Sequence, residues 1–372
     1  MAAGLDNLTA STIWEGPTMR KESFELLKKL LSTPSPSGYE TRSQKVWCDY
    51  ARQFADKVET DAYGNAVAIL NPAGDPKIML DGHVDEIGLM VKHIDEKGFI
   101  YFQRIGGVDP ALIRGKRVNI HTAKGVVRGV IGATAIHLQE KDKDQKAPKM
   151  HECFIDIGAK DGKDAAKKVS VGDPITFVDD FEMLNANVAV ARAFDNRAGT
   201  WAVIEALRIA KESKPRCAIY ACSAIQEETG LNGAHMLAER VKPDAAVAVE
   251  VTHATDSPGI DVKQHGEIKM GQGPALSIGR ENHPAIVERL RQIARRRKIA
   301  IQIETFSLTG GTDALAIWTK HGGIPAALVS VPNRYMHSTV ETLDLRDLQR
   351  AADLLAAFCA DLKKGERFKV KV

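Results

Sequence analysis

Two adjacent carboxylates, Glu227 and Glu228, follow an apolar run at 218–225 whose length and bounded ends predict a buried strand. Successive side chains point in different directions, so the two acids can do different work at one site. One can hold a metal ion while its neighbour stays free as a general base. Two acids after a strand can equally be a solvated loop, so the metal hypothesis depends on matching ligands from other parts of the chain.

Three further potential ligands end apolar, strand-like runs or follow them shortly: His83, Glu250 and His337. In an open α/β sheet the carboxyl ends of the strands line one edge, and ligands bind in the crevice there. Residues far apart in the sequence therefore converge at that edge. Histidines and carboxylates without cysteine suit Zn²⁺, Co²⁺ or Mn²⁺, so the sequence predicts a metal site.

Two aspartates are candidates to complete this site. Asp195 lies at a loop-to-helix junction and has two oxygens to share, so it is the natural bridge between two ions. The alternative is that Asp195 caps a helix beginning near Arg197. Asp85 is expected to accept the N–H of the nearby His83 and fix its tautomer. The next residue, Glu86, is interpreted as a loop acid, and no role is assigned to it.

The elements that position these residues differ in pattern along the chain. Residues 1–88 and 183–372 alternate strands with helices, which predicts an α/β domain with a doubly wound, mostly parallel sheet. Residues 89–182 show short β-branched runs with turns about every 8–12 residues, typical of a small β-barrel or sandwich. This segment is therefore interpreted as an inserted domain. Residues 1–20 are expected to be a loose extension, and 139–149 a surface loop.

The composition narrows the possible classes of function. Hydrophobic content of 44% and charged content of 27% are ordinary for a soluble globular protein, and a net charge of +3 does not indicate nucleic acid or an anionic membrane as a partner. Five scattered cysteines without a Cys-x-x-Cys pair indicate reduced thiols and argue against a thiolate zinc site. The sequence has neither a secretory signal nor a membrane-spanning run, so we expect a cytoplasmic protein.

Five short motifs occur along the chain: DGHVDEIG at 81–88, AFDNR at 193–197, QEETG at 226–230, GGTDA at 310–314 and RYMHS at 334–338. In this order they resemble the motifs of the dinuclear metallo-aminopeptidases of the tetrahedral (TET) type. That group includes glutamyl and deblocking aminopeptidases and proteins labelled cellulase M or endoglucanase. In that family the inserted β-domain builds the oligomer, so the resemblance implies a homo-oligomer, from a dimer up to a hollow dodecamer. The GGTDA loop is expected to line the substrate site or to be a tight turn.

The resemblance also implies a role for each site residue. It implies two divalent ions, Zn²⁺ or Co²⁺ foremost and Mn²⁺ as a further option, held by His83 and Glu250, by Glu228 and His337, and by Asp195 between them. Glu227 would be the general base for a metal-bridged water. The family usually has Asp where this chain has Glu250, so we expect altered geometry or metal preference there. Asp256 and His253 are the alternative ligands.

The sequence thus predicts a metallo-aminopeptidase that hydrolyses N-terminal residues from short peptides, with Glu227 and Asp85 as catalytic residues. One alternative is a metal-dependent deacylase or a carboxypeptidase-type amidohydrolase, because related dinuclear folds use a similar ligand set. Another is a catalytically impaired, metal-binding oligomeric scaffold, against which the intact Glu227 beside Glu228 argues. Glycoside hydrolysis is disfavoured, because that reaction normally uses two flanking carboxylates rather than a pair of metal ions. The chain also has only 6% aromatic residues for stacking against sugars.

Overall fold

The computed structural model describes residues 19–138, 147–307 and 311–370. The helices, in chain order, are α1 Lys21–Ser32, α2 Thr41–Ala51, α3 Gly162–Lys168, α4 Phe194–Glu212, α5 Asn232–Val241, α6 Val262–His265, α7 Pro284–Arg297, α8 Asp313–Trp318 and α9 Leu345–Asp361. The strands are β1 Lys57–Thr60, β2 Ala66–Leu70, β3 Lys77–His83, β4 Gly88–Ile94, β5 Ile100–Ile105, β6 Arg117–Thr122, β7 Gly125–Ile131, β8 Ile155–Asp156, β9 Pro174–Phe177, β10 Glu182–Met183, β11 Val188–Ala191, β12 Ala218–Ala224, β13 Ala245–His253, β14 Ala275–Gly279, β15 Gln302–Phe306, β16 Ala326–Arg334 and β17 Glu341–Asp344.

A large mixed sheet carries most of the core. Its order is β1-β2-β12-β3-β13-β16-β17-β11-β10, with β14 paired to β16 and β15 paired to β14. The central strands β12, β3, β13 and β16 are mutually parallel, whereas antiparallel pairs flank them on both sides. The central strands are almost fully buried, as expected for strands covered on both faces. The predicted α/β class is confirmed, with its parallel strands concentrated at the centre.

The register of the parallel strands explains why the site forms at one edge. Ala224 of β12 pairs with His83, the last residue of β3, and Ala248 of β13 pairs with Asp81 of β3. Because neighbouring parallel strands advance together, Glu250 stands at the level of His83. Strand β13 runs on to His253, so Glu250 lies inside the strand rather than at the end that the sequence predicted.

Helix α4 lies directly against the centre of the sheet. A Cβ atom at Gly82 would stand 2.7 Å from backbone atoms of Gly199 and Thr200, so only glycine allows this close approach of α4 to β3. The helix buries Trp201 completely, and its indole N–H donates to the backbone carbonyl of Ser23 in α1. The close packing brings the first turn of α4, which contains Asp195, over the carboxyl ends of the central strands.

Strands β4, β5, β8, β7, β6 and β9 close into a barrel with its own apolar core. They run from Gly88 to Phe177, and side chains such as Leu89, Ile100 and Ile175 fill the interior. The barrel thus follows β3 directly in the chain and lies beside the site. The predicted inserted β-barrel is confirmed as part of the fold class, whereas the exact domain boundaries stay a prediction.

Two predicted loops lie partly outside the described residues. Residues 1–18 of the predicted N-terminal extension and residues 139–146 of the predicted surface loop are outside the described ranges. Within the described part of the chain, no helix has the length and apolar character needed to cross a membrane.

Candidate metal centre

Six side chains converge at the carboxyl edge of the central strands in two groups. We define the first group as His83, Glu227 and Glu250, and the second group as Asp195, Glu228 and His337. Within each group, one ligand atom from every residue lies within 4.8 Å of the others. The structure therefore brings together all the metal ligands predicted from the sequence, and it adds Glu227 to the first group as a further potential ligand.

Asp195 stands between the two histidines and offers one oxygen to each. Its Oδ1 is 3.4 Å from Nε2 of His83, and its Oδ2 is 3.3 Å from Nε2 of His337. The alternative role as a helix cap falls to the next residue, because the Asn196 side chain accepts the backbone N–H of Gly199 at 2.8 Å. The Asp195 carboxylate is thus oriented toward the histidines, as a bridging ligand requires.

Asp85 joins the two chain segments that carry His83 and the acid pair. Its Oδ1 lies 3.3 Å from Nδ1 of His83 and accepts the backbone N–H of Glu227 at 3.0 Å. Its Oδ2 accepts the backbone N–H of Glu228 at 3.2 Å and the hydroxyl of Ser37 at 2.6 Å. Although burial acts to raise it, the pKa of Asp85 is lowered by His83 and these donors. At this distance Nδ1 of His83 makes no hydrogen bond of good geometry with any described residue, but the nearby carboxylate favours a proton on Nδ1, which leaves Nε2 free for a metal.

Glu250 completes the first group from inside β13. Its Oε2 lies 3.5 Å from Nε2 of His83 and accepts a hydrogen bond from the Asn196 side chain at 2.6 Å. The alternative ligand Asp256 forms a bidentate ion pair with Arg334 at 2.8 and 2.7 Å instead. The other alternative, His253, is exposed at the end of β13 and belongs to neither group. The geometry therefore favours Glu250 over both.

The second group rests on a buried acid that the sequence did not single out. Glu341, the first residue of β17, accepts the backbone N–H of Asp195 at 2.7 Å and that of His337 at 3.1 Å. From the barrel, Gly107 approaches the imidazole so closely that a Cβ atom there would lie 2.5 Å from Nδ1 of His337. The available sequence signal was weak: Glu341 is an acid four residues after a predicted ligand.

Glu86, interpreted from the sequence as a loop acid, is buried. Its carboxylate pairs with Arg192 and, at 2.7 Å, with Arg197, and it accepts the backbone N–H of Ser35 at 2.8 Å. These contacts tie the loop after β3 to the first turns of α4, a structural role that the sequence analysis did not assign.

The crowded acids shift the protonation of the whole cluster. Burial, with repulsion from Glu250, raises the pKa of Glu227 to about 10, and burial also raises that of Glu250 to about 7. Hydrogen bonds to the carboxylates of Asp195 and, next in size, Glu228 raise the pKa of His337 to about 11. Without cations the cluster therefore retains protons that a free side chain would release. Positive charge at the site would displace them.

The spacing of the donor atoms fits metal ions. A tetrahedral ion with ligands at about 2.0–2.2 Å separates its ligand atoms by roughly 3.3–3.6 Å. The histidine Nε2 atoms stand 3.3 to 3.6 Å from the surrounding carboxylate oxygens. One buried oxygen of Glu228 also has no hydrogen-bond partner among the described residues. Imidazole nitrogens and carboxylate oxygens suit Zn²⁺, Co²⁺ or Mn²⁺, so the residues fit two divalent ions.

A cleft of about 430 Å³ opens over both groups. Apart from the ligands, its walls are largely apolar, with Leu231, Val251, Phe306 and Met336. Gly311 and Thr312 of the GGTDA motif also line it, whereas Gly310 lies outside the described residues. The cleft is large enough to receive the end of a peptide at the ligand cluster.

Comparison with known proteins gives a consistent result. The family model for the M42 glutamyl aminopeptidases matches residues 64–354. The lysyl aminopeptidase of Pyrococcus furiosus is 32% identical over 345 residues, which are 91% of this chain and 97% of the relative. The crystal structure of a TET aminopeptidase from a marine sediment archaeon of the Thaumarchaeota has a TM-score of 0.87 at 34% identity, covering 92% of this chain and 96% of that one. The Pyrococcus horikoshii TET1 peptidase, which can assemble into a tetrahedron or a large octahedral shell, has a TM-score of 0.82 at 34% identity over 91% of this chain and 100% of that one.

Proposed function

The chain belongs to the M42 glutamyl aminopeptidase family, and on that premise we propose that it is a dinuclear aminopeptidase that removes N-terminal residues from short peptides. The observation that carries the dinuclear assignment is the position of Asp195. One of its oxygens lies 3.4 Å from Nε2 of His83 and the other 3.3 Å from Nε2 of His337. A single carboxylate shared in this way supports one ion in each group.

Glu227 is the proposed general base. Its carboxylate is 3.6 Å from Nε2 of His83 and lines the cleft. Two divalent ions bound here would lower the pKa of a shared water and polarise the scissile carbonyl. Glu227 accepts a proton from the attacking water and returns it to the leaving amine. With cations held by the two groups, the raised pKa of Glu227 would fall, and the base would be ionised at neutral pH.

Asp85 is proposed to act through its neighbours. It orients His83 through Nδ1 and holds the backbone of Glu227 and Glu228 by accepting both N–H groups. The base and the ligand of the second group are therefore fixed relative to the first group by one side chain. Such support is expected to be worth about 10–100-fold in metal affinity or activity.

Chelation tests the proposal directly. After dialysis against a chelator, the protein is expected to release no N-terminal residue from a peptide with a free amine, and Zn²⁺ or Co²⁺ should restore the release. Elemental analysis of the same samples verifies that the ions were removed and rebound. Undiminished turnover by a preparation shown to be free of metal would overturn the proposal.

Peptides with a blocked N-terminus distinguish the aminopeptidase from a deacylase and from a metal-binding scaffold. Matched peptides with a free or an acetylated N-terminus are assayed with the metal-loaded protein. Cleavage of the free-amine peptide alone supports the aminopeptidase, whereas preferred release of acetate would identify a deacylase. Two bound ions without turnover on either peptide would identify a metal-binding scaffold.

We also propose that the protein forms a homo-oligomer through the barrel. The named assemblies of the Pyrococcus horikoshii peptidase support this, as do the apolar side chains that the barrel exposes, including Leu112, Val126 and Val130. Light scattering on the wild type should give a mass of several chains, and Val126→Asp with Val130→Asp should lower it. A wild-type mass of one chain would contradict the proposal.

A further inference from the structure

Glu341 connects the two segments of backbone that carry the outer ligands. It is 1% exposed and lies at the start of β17, opposite Ala191 of β11. Its Oε2 accepts the backbone N–H of Asp195 at 2.7 Å, and its Oε1 accepts that of His337 at 3.1 Å. One carboxylate thus fixes the main chain of two members of the second group at once.

The segments that Glu341 holds have an unfavourable backbone conformation. His337 has φ 60°, Tyr335 has φ 61°, and Ala193, two residues before Asp195, has φ 64°. These angles lie in the left-handed region, which residues other than glycine rarely adopt without support from surrounding structure. Hydrogen bonds that restrain both segments are therefore needed to keep the ligands in place.

We propose that Glu341 is a positioning residue that sets the metal affinity of the second group by holding the main chain of Asp195 and His337. This inference rests on the proposed dinuclear function. Since Asp195 is shared, we expect a smaller effect on the ion of the first group. Glu341 itself does not contact the substrate or the ions in this scheme.

The chemistry of the donors explains why a carboxylate is required. The donors to Glu341 are these two backbone N–H groups and, at 3.5 Å from Oε2, the amide nitrogen of Asn333. A backbone N–H cannot reverse its direction, so each oxygen of Glu341 must accept. A glutamine would present its NH₂ group to one of them and leave that donor unsatisfied. Glu304 provides a matched contrast, because it accepts from the hydroxyls of Thr252 at 2.7 Å and Ser277 at 2.5 Å. Hydroxyls can rotate and accept from an amide.

The experiment measures Co²⁺ binding by calorimetry and visible absorption in the wild type, Glu341→Gln and Glu304→Gln. The wild type and Glu304→Gln should bind two ions with the same affinities. In Glu341→Gln the ion of the second group should bind about 10–100-fold more weakly, whereas the affinity for the ion of the first group should change clearly less. Turnover of Glu341→Gln should fall through kcat at low Co²⁺ and recover at saturating Co²⁺.

The outcomes separate the two proposals. If Glu341→Gln binds two ions, each with the same affinity as in the wild type, this inference is overturned while the dinuclear function stands. If the wild type binds only one ion, both fail. Should Glu341→Gln not fold, hydrogen exchange of the wild type decides: slow exchange of the Asp195 and His337 amides supports the inference, and exchange as fast as in a free peptide overturns it.

Discussion

Two ligands of the first group and two of the second are built on different kinds of backbone. His83 and Glu250 belong to the central parallel strands, and their side chains are 1% and 5% exposed. Glu228 and His337 lie in the connections after β12 and β16, and the imidazole of His337 is 38% exposed. The positions of the first pair follow from strand register, whereas those of the second pair follow from loop conformation.

The difference shows what each group needs to stay in place. Ladder hydrogen bonds to neighbouring strands fix the main chain of His83 and Glu250. A loop lacks such a ladder, and here buried acids take its place: Asp85 accepts the N–H groups of the Glu227–Glu228 pair, and Glu341 accepts that of His337. Asp85 and Glu341 thus restrain the main chain of these loops, as the ladder hydrogen bonds restrain the strands.

The largest expected effect comes from Glu227→Gln, which asks whether Glu227 is a base or a ligand of the first group. As a base, its loss should lower kcat by about 10²–10⁴-fold while two ions remain bound. As a ligand, its loss should release the ion of the first group. Elemental analysis together with initial rates distinguishes the two results. Glu228→Gln is the matched control and should weaken the second ion instead.

Much of this site could be predicted because its ligands follow recognisable strands. The apolar runs before His83 and Glu227 predicted their place at the sheet edge, and side-chain chemistry predicted the metal. Glu341 could not be found in this way, since its role comes from a loop conformation that brings it under Asp195. The burial of Glu86 was likewise missed, because its partners are distant in sequence and pair with it only after α4 packs on β3.

Replacing each histidine compares the strand and the loop directly. His83→Ala and His337→Ala should each weaken one ion by at least about 10–100-fold. His83→Ala should also destabilise the metal-free fold, by about 1–3 kcal/mol, because it empties a buried position and removes a partner of Asp85. His337→Ala should destabilise it less, because the imidazole is 38% exposed and solvent screens its contacts with Asp195 and Glu228. Metal titration and urea unfolding measure the two effects. Equal destabilisation by both variants would contradict the distinction between the groups.

Glu250→Asp tests how rigid the strand-held group is. The variant carboxylate is one methylene shorter, and the ladder of β13 prevents the main chain from following it. We expect the first ion to bind about tenfold more weakly, which corresponds to about 1.4 kcal/mol. Competition with a chelator measures the affinity. Unchanged or tighter binding would show that β13 moves and that the first group is no more rigid than the second.

The smallest expected effect is the pH dependence of the metal-free protein. The pKa of Glu227 is raised to about 10 and that of His337 to about 11, so the folded state holds protons that the unfolded chain releases. This stabilisation is complete below the unfolded pKa of each group and is lost as pH rises toward the folded values. Between pH 6.5 and 8.5, Tm should therefore fall, by roughly 2–4 °C after allowance for the exposure of His337.

Measuring Tm against pH in two variants shows how much of this decrease in Tm comes from Glu227 and how much from His337. Glu227→Gln should remove the contribution of Glu227, and His337→Ala that of His337. Since His337 is partly exposed and solvent screens its charge, the Glu227 share should be the larger. With Zn²⁺ present the trend should reverse, because binding displaces these protons and strengthens as pH rises. A Tm of the metal-free wild type that rises over this range would contradict the proton-filled cluster.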